Sequence, residues 1–141
     1  MSSFDVLARL AKQAVDEERQ KLHRINVAIS ETEKRIDELR AKARAEAGNG
    51  QDFMTIGATL PAYLQANKLR VQQAAHHLRQ LEAAHADQLQ KLQQQRIEWK
   101  RSEKLAERQR KRIADEIEAK ERKEISELVT IKAGREPKRQ L

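Results

Sequence analysis

Cysteine is absent from this chain of 141 residues, so it forms no disulfide bond and offers no thiolate to a metal ion. Aromatic residues amount to 3% and hydrophobic residues to 38%, which is too little apolar material for a thick globular core. Two prolines and four glycines are fewer than a disordered linker usually carries. Together with 36% charged residues, these shortages predict a chain that is helical almost throughout and rich in coiled coil.

Long hydrophobic runs are also missing from the sequence. No stretch approaches the roughly 20 apolar residues that span a bilayer, and the first residues lack the basic and apolar regions of a secretory signal. We therefore expect a cytoplasmic protein.

Mostly apolar residues recur at alternating steps of four and three through the first third of the chain. This spacing is the heptad pattern of a coiled coil and predicts a helix over about residues 4–47. The stripe consists of Phe4, Ala8, Ala11, Val15, Glu18, Leu22, Ile25, Ile29, Thr32, Ile36, Leu39 and Ala43. Such a stripe is buried only when a partner helix covers it.

Glycines then interrupt the helical pattern. Gly48 and Gly50 tolerate the backbone conformations that end helices, which predicts a loop over about residues 48–59. Phe53 and Met54 make this loop apolar. They either fold over the end of the helix pair or dock a partner protein.

The segment between Pro61 and Gly134 contains neither glycine nor proline. It predicts a second helix over about residues 60–133, with Pro61 in its first turn and a flexible tail over 134–141. Its stripe is predicted at Leu60, Leu64, Asn67, Val71, Ala74, Leu78, Leu81, His85, Leu89, Leu92, Arg96 and Trp99.

Two stripes joined by a short loop bury each other when the helices pack side by side. The predicted fold class is therefore all-α: an antiparallel two-helix coiled-coil hairpin with a longer second helix, forming a single domain over residues 1–141. Pairing outward from the loop places Leu39 near the level of Val71, and Phe4 near the level of Trp99 to Glu103. The last 30 or so residues of the second helix, ~45 Å, are then predicted to have no partner within the chain.

Basic residues follow the only tryptophan, at the point where the pairing is predicted to end. Trp99 either packs against Phe4 and Leu7 to close the helix pair or anchors a partner. The cations beyond it are either a solvated face stabilised by neighbouring glutamates or a binding patch. The basic block consists of Arg101, Lys104, Arg108, Arg110, Lys111 and Arg112.

Residues that could carry chemistry are few. The sequence has no glycine-rich phosphate loop, no nucleophile elbow and no histidine pair with a carboxylate at metal-binding spacing. His76 and His77 are adjacent, so they point about 100° apart on a helix. A two-helix hairpin also lacks a concave pocket that excludes water. We therefore predict no catalytic, cofactor-binding or metal-binding residue and no enzymatic activity.

Positive charge is concentrated near the C-terminus. The formal charge is +7, and residues 100–141 hold 14 Lys/Arg against 9 Asp/Glu. An acidic protein, a nucleic acid or an anionic lipid surface would each be attracted, but the interleaved carboxylates make a nucleic acid the less expected partner. A nucleic-acid-binding hairpin and a self-associating structural coiled coil remain the alternatives.

Four features together resemble the FliJ family of the flagellar type III export apparatus and its injectisome counterpart, the YscO/SctO stalk. They are the Phe4-x-x-Leu7-x-x-Leu10 start, the broken antiparallel hairpin, the longer second helix and the ending from Glu121 to Leu128. Ser126 stands where the family often has an acidic residue. The resemblance covers essentially the whole chain.

The resemblance implies a non-enzymatic stalk and chaperone escort without cofactors. Such a protein inserts its paired terminal helices into a hexameric export ATPase, stimulates it, and couples it to the cytoplasmic domain of the export gate. Export chaperones are further implied partners, and the membrane is reached only through partners, at the inner-membrane export apparatus. Carried over, the ATPase contacts fall on Arg101, Lys104, Arg108 and Arg112, and the gate or chaperone contacts on the loop-side half of the hairpin.

Overall fold

In a computed structural model of the chain, which describes residues 2–48 and 59–135, two α-helices account for almost all positions. Helix α1 spans Ser3–Gly48 and helix α2 spans Thr59–Arg135. They contain 46 and 77 residues, and the described part of the chain holds no strand. The all-α fold class with a longer second helix is confirmed.

The observed helix ends lie one or two residues outside the predicted bounds. Gly134 and Arg135, which the sequence assigns to the tail, continue α2. Phe53 and Met54 lie outside the described residues, so the interpretation of the apolar loop stays a prediction.

A capping box begins α1. The Ser2 hydroxyl oxygen accepts a hydrogen bond of 3.2 Å from the Asp5 backbone N–H. In return, the Ser2 backbone N–H and hydroxyl donate to Asp5 Oδ2 at 3.3 and 2.9 Å. Because the first backbone N–H groups of a helix have no partner within it, these reciprocal bonds fix where α1 begins.

Contacts between the helices group into two compact units. The terminal unit comprises Met1–Lys12 and Ile97–Leu141, and the loop-side unit comprises Gln13–Arg96. Each unit contains a segment of both helices.

In the loop-side unit, the predicted α1 stripe is the packed face. Val15 is fully buried, and Thr32, Ile36 and Leu39 are buried as well. The other α1 stripe positions of this unit, namely Glu18, Leu22, Ile25, Ile29 and Ala43, are half-buried. The heptad pattern therefore identified this face of α1 correctly.

Two buried side-chain amides define the antiparallel register of the loop-side unit. Asn67 is 3% exposed, and its Nδ2 donates to the Leu39 carbonyl oxygen at 3.1 Å. Gln88 donates from Nε2 to the Glu18 carbonyl oxygen at 3.1 Å. The predicted pairing of Leu39 with Val71 is therefore wrong by one helical turn, because a buried amide needs a hydrogen-bond partner and Asn67 finds one at Leu39.

The α2 stripe departs from the prediction after His85. Leu89 is 39% exposed and Arg96 is exposed, whereas Gln88 is buried and Gln95 is half-buried. The stripe takes a step of three from His85 to Gln88 where the prediction took a step of four. A search for apolar residues prefers Leu89, but the longer polar side chain of Gln88 is accommodated by its bonds to Glu18.

Candidate partner-binding site

Within the terminal unit, the packed face of α2 continues beyond Trp99. Ala106 is 2% exposed, and Trp99, Ser102 and Gln109 are half-buried. These positions extend the stripe by further steps of three and four. The prediction that pairing ends between Trp99 and Glu103 is therefore wrong, and the paired region extends about two turns further.

Trp99 belongs to this packed face. It is half-buried and lines a shallow groove with Ala8, Lys12 and Ala106. Leu7 is exposed instead of covering the indole. Whether Trp99 also contacts a partner stays a prediction.

Phe4 lies further along α2 than the sequence predicts. It lines a groove with four α2 residues, Leu105, Arg108, Gln109 and Arg112. The α2 residues are spaced i, i+3, i+4 and i+7, so they share one face of the helix. The groove has a volume of about 210 Å³.

An ion pair joins the helices near the capping box. Arg110 Nη1 lies 4.0 Å from Asp5 Oδ1. The hydrogen bond from the Ser2 hydroxyl lowers the pKa of Asp5 below its ordinary value of 3.8, and Arg110 acts in the same direction, while partial burial opposes them. Asp5 is therefore ionised at neutral pH. Sequence reasoning missed both the capping box and the ion pair. The capping box could have been found, because Ser2 followed three residues later by Asp5 is a recognisable cap signal.

The four predicted cations all lie on the surface of the terminal unit. Arg101, Lys104, Arg108 and Arg112 are exposed, and their spacing of three, four and four places them along one side of α2. We call these four residues the basic stripe. The structure brings only Arg108 and Arg112 together with Phe4 in the groove.

The two arginines of the groove have little internal compensation. Arg112 Nε lies 3.9 Å from Glu116 Oε1, and both side chains are more than two thirds exposed, so this pair contributes little. Arg108 has no ion pair with any residue of the described ranges. Both guanidinium groups are therefore available to a ligand.

From Lys111 onward α2 is uncovered, although Arg112 still lines the end of the groove. Every residue from Lys111 to Arg135 is exposed, so among the described residues the segment of α2 that is not packed against α1 begins near Lys111, later than predicted. We call Lys111–Arg135 the free segment of α2. Its large apolar residues are exposed as well: Ile113, Ile117, Ile125, Leu128, Val129 and Ile131.

The described ranges contain no group of three or more His, Cys, Asp or Glu side chains placed to hold a metal ion. Neither α1 nor α2, as described, contains a segment apolar enough over a sufficient length to cross a membrane. The described surface offers cations on the basic stripe, and charges of both signs together with exposed apolar residues on the free segment.

Comparison with known proteins adds one finding. A family model described as flagellar FliJ protein matches residues 1–138. No curated protein and no solved structure matches the chain. The match includes both helices and all four residues of the basic stripe, so it applies to the chain as a whole.

Proposed function

This chain belongs to the FliJ family, which makes it a component of the flagellar export apparatus, and on that premise we propose that it acts there as a non-enzymatic stalk. The stalk inserts into a hexameric export ATPase, stimulates it and couples it to the cytoplasmic domain of the export gate. It also escorts export chaperones, and it reaches the inner membrane only through these partners.

The free segment of α2 is the observation that supports insertion. A partner that encloses a helix contacts it from all sides, and every residue of the free segment is exposed. Charged residues of both signs predominate from Lys111 to Glu124, and exposed apolar residues lie closer together from Ile125 to Ile131. Contacts made by such a surface are largely electrostatic, which suits a reversible interaction.

The basic stripe supports contact with the ATPase at the paired end of the stalk. Arg101, Lys104 and Arg108 lie on the part of α2 that is packed against α1 and is tied to the capping box by the Asp5–Arg110 ion pair, and Arg112 lies one turn after Arg108. Cations held on a packed helix meet a partner at a smaller entropic cost than cations on a mobile segment. We therefore assign Arg101, Lys104, Arg108 and Arg112 to the ATPase.

The loop-side unit is assigned to the gate or to chaperones. Leu69 is 55% exposed and lies with Ala62 and Ala66 on one side of α2, where they line a shallow groove. Phe53 and Met54, which lie outside the described residues, are assigned to the same partners from the sequence alone. Isolated surface apolar residues are common, so contact with the gate or a chaperone is the part of the proposal that most needs a binding experiment.

A charge-reversal experiment tests the ATPase assignment. Purified export ATPase should bind the wild-type chain and hydrolyse ATP faster in its presence, and Arg108→Glu with Arg112→Glu should weaken both effects. Arg70→Glu with Arg79→Glu is the matched control, since these arginines are also exposed on α2 but lie outside the basic stripe. Unchanged binding and stimulation by the Arg108 and Arg112 variant would show that the basic stripe is not the contact.

A further inference from the structure

The groove beside Phe4 is small and has an apolar wall. We call it the Phe4 groove; it is formed by Phe4, Leu105, Arg108, Gln109 and Arg112. Its volume of about 210 Å³ lies below the roughly 300–1,000 Å³ typical of small-molecule pockets. A space of this size suits one large side chain of another protein better than a whole small-molecule ligand.

The charges around the Phe4 groove are not balanced from within. Arg108 and Arg112 line it, and no carboxylate does. The groove beside Trp99 in the same unit is different, because Asp5 and Glu103 line it together with its cations. Of these two grooves, only the Phe4 groove has no carboxylate in its lining.

A buried acceptor without a donor lies in the same place. Gln109 Oε1 is buried and has no hydrogen-bond partner among the described residues. Leaving a buried oxygen without a donor is unfavourable, and most such atoms in folded proteins are satisfied. Because this oxygen is closed off from solvent, it belongs to the packed side of Gln109 and is not a contact point for a ligand.

We propose that the Phe4 groove binds an acidic protein segment that inserts one leucine- or phenylalanine-sized side chain. Carboxylates flanking that side chain pair with Arg108 and Arg112, since guanidinium groups bind carboxylates with two parallel hydrogen bonds.

The segment is assigned to the export ATPase, and this step rests on the proposed function. The size and charge of the Phe4 groove do not depend on which protein supplies the segment. A second copy of this chain also carries an apolar residue among carboxylates, Ile117 beside Glu116 and Glu118. Docking of a second copy is therefore an alternative outcome that the experiment must separate.

Filling the groove tests the proposal while preserving the charges. Leu105 is 45% exposed, so Leu105→Trp should fold normally and occupy the space meant for the ligand. We expect it to weaken binding to purified export ATPase by about tenfold, as loss of one buried apolar side chain predicts. Leu69→Trp is the matched control, because Leu69 is similarly exposed on α2 and lies in the loop-side unit.

The salt dependence of the affinity separates the apolar contribution to binding from the electrostatic one. Leu105→Trp should leave the dependence of affinity on salt unchanged, whereas Arg108→Glu with Arg112→Glu should reduce it. If Leu105→Trp binds the ATPase with wild-type affinity while the charge-reversal variant does not bind, the proposed contact at the Phe4 groove is wrong and the proposed function still holds. Absence of any ATPase binding by the wild-type chain would instead overturn the proposed function.

A peptide titration then tests the groove without the ATPase. The probe is a synthetic peptide with a central leucine flanked by two glutamates on each side, added to the full chain carrying labelled leucine methyl groups. The Leu105 methyl signals should shift while those of Leu69 stay in place, and a peptide with lysines instead of glutamates should have no effect. Equal shifts with both peptides, or none at Leu105, would overturn the proposal.

Sedimentation of the chain alone should give a monomer. A dimer abolished by Leu105→Trp would identify the second copy as the occupant and overturn the ATPase assignment.

Discussion

Gln88 joins the two helices of the loop-side unit through Glu18. Its side-chain Nε2 donates to the Glu18 carbonyl oxygen at 3.1 Å and also to the Glu18 carboxylate. The carbonyl and carboxylate of one residue thus hold one buried amide. This arrangement fixes both the rotation of α2 and its level along α1, because a shift of α2 by one residue would move the amide out of reach.

Replacing Gln88 should destabilise the helix pair. Gln88→Ala removes a side chain that is 7% exposed together with its hydrogen bonds, so we expect a loss of about 1–2 kcal/mol in the free energy of unfolding. Urea unfolding followed by circular dichroism measures this loss. Gln90→Ala is the control, because Gln90 is exposed on the same helix. Equal effects of the two substitutions would contradict the role given to Gln88.

The same contact makes stability depend on pH. The hydrogen bond from Gln88 lowers the pKa of Glu18 below its ordinary value of 4.5, Lys21 acts in the same direction, and partial burial opposes them. A carboxylate with a lowered pKa in the folded state stabilises that state above pH 4.5 and loses this contribution as the pH falls through the lowered pKa. Wild-type stability should therefore fall below pH 4.5.

Glu18→Gln isolates this contribution. Glutamine does not titrate, so the decrease in unfolding free energy between pH 6 and pH 3 should be smaller in the variant than in the wild-type chain. Glu33→Gln serves as the control, since Glu33 is an exposed α1 residue. An identical decrease in the Glu18 variant and the wild-type chain would show that the Gln88 contact does not matter for acid stability.

Two leucines three residues apart should respond differently to truncation. Leu92 is 3% exposed and Leu89 is 39% exposed. Leu92→Ala should therefore cost about 2–5 kcal/mol of unfolding free energy, as buried leucines generally do, and Leu89→Ala clearly less. The predicted stripe treats the two positions alike, so comparable losses in thermal or urea unfolding would favour that stripe over the observed one.

The alternating steps of four and three located the packed face of α1, and they located most of the packed face of α2. The error at Leu89 arose because an apolar residue was preferred to the alternation, which after the step of four from Leu81 to His85 leads to Gln88, a residue buried through its hydrogen bonds to Glu18. The alternating steps failed to give the level of one helix against the other, since every shift by a whole heptad buries a similar stripe. Such levels are decided by individual contacts, such as that between Asn67 and Leu39.

The candidate site also has parts that the sequence predicts and parts that depend on packing. The cations of the basic stripe belong to a basic block that is visible in the sequence, and the resemblance to the FliJ family selected these four within it. The Phe4 groove was not visible there, because it depends on the level at which Phe4 meets α2, and that level lies beyond the predicted one. The orphaned oxygen of Gln109 is likewise a property of packing, with no trace in the sequence.

Removing the cap of α1 should loosen the end of the terminal unit. Ser2→Ala deletes the hydroxyl that accepts from the Asp5 N–H and donates to its carboxylate, and the loss of a cap typically costs about 1 kcal/mol. Amide hydrogen exchange in the first two turns of α1 should become faster. Ser3→Ala is the control, because Ser3 is exposed and already helical. Equal protection in the two variants would rule out a capping role for Ser2.

Hydrogen exchange should also distinguish the free segment of α2 from the packed part of the same helix. A helix without a packing partner opens more readily, because most helical stability in proteins comes from burial of one face. Amides from Lys111 to Arg135 should therefore exchange faster than those from Leu78 to Gln109. If this segment enters the export ATPase, adding the ATPase should slow exchange along its whole length. Protection confined to residues before Lys111 would show that the ATPase grips the paired helices and leaves the free segment outside.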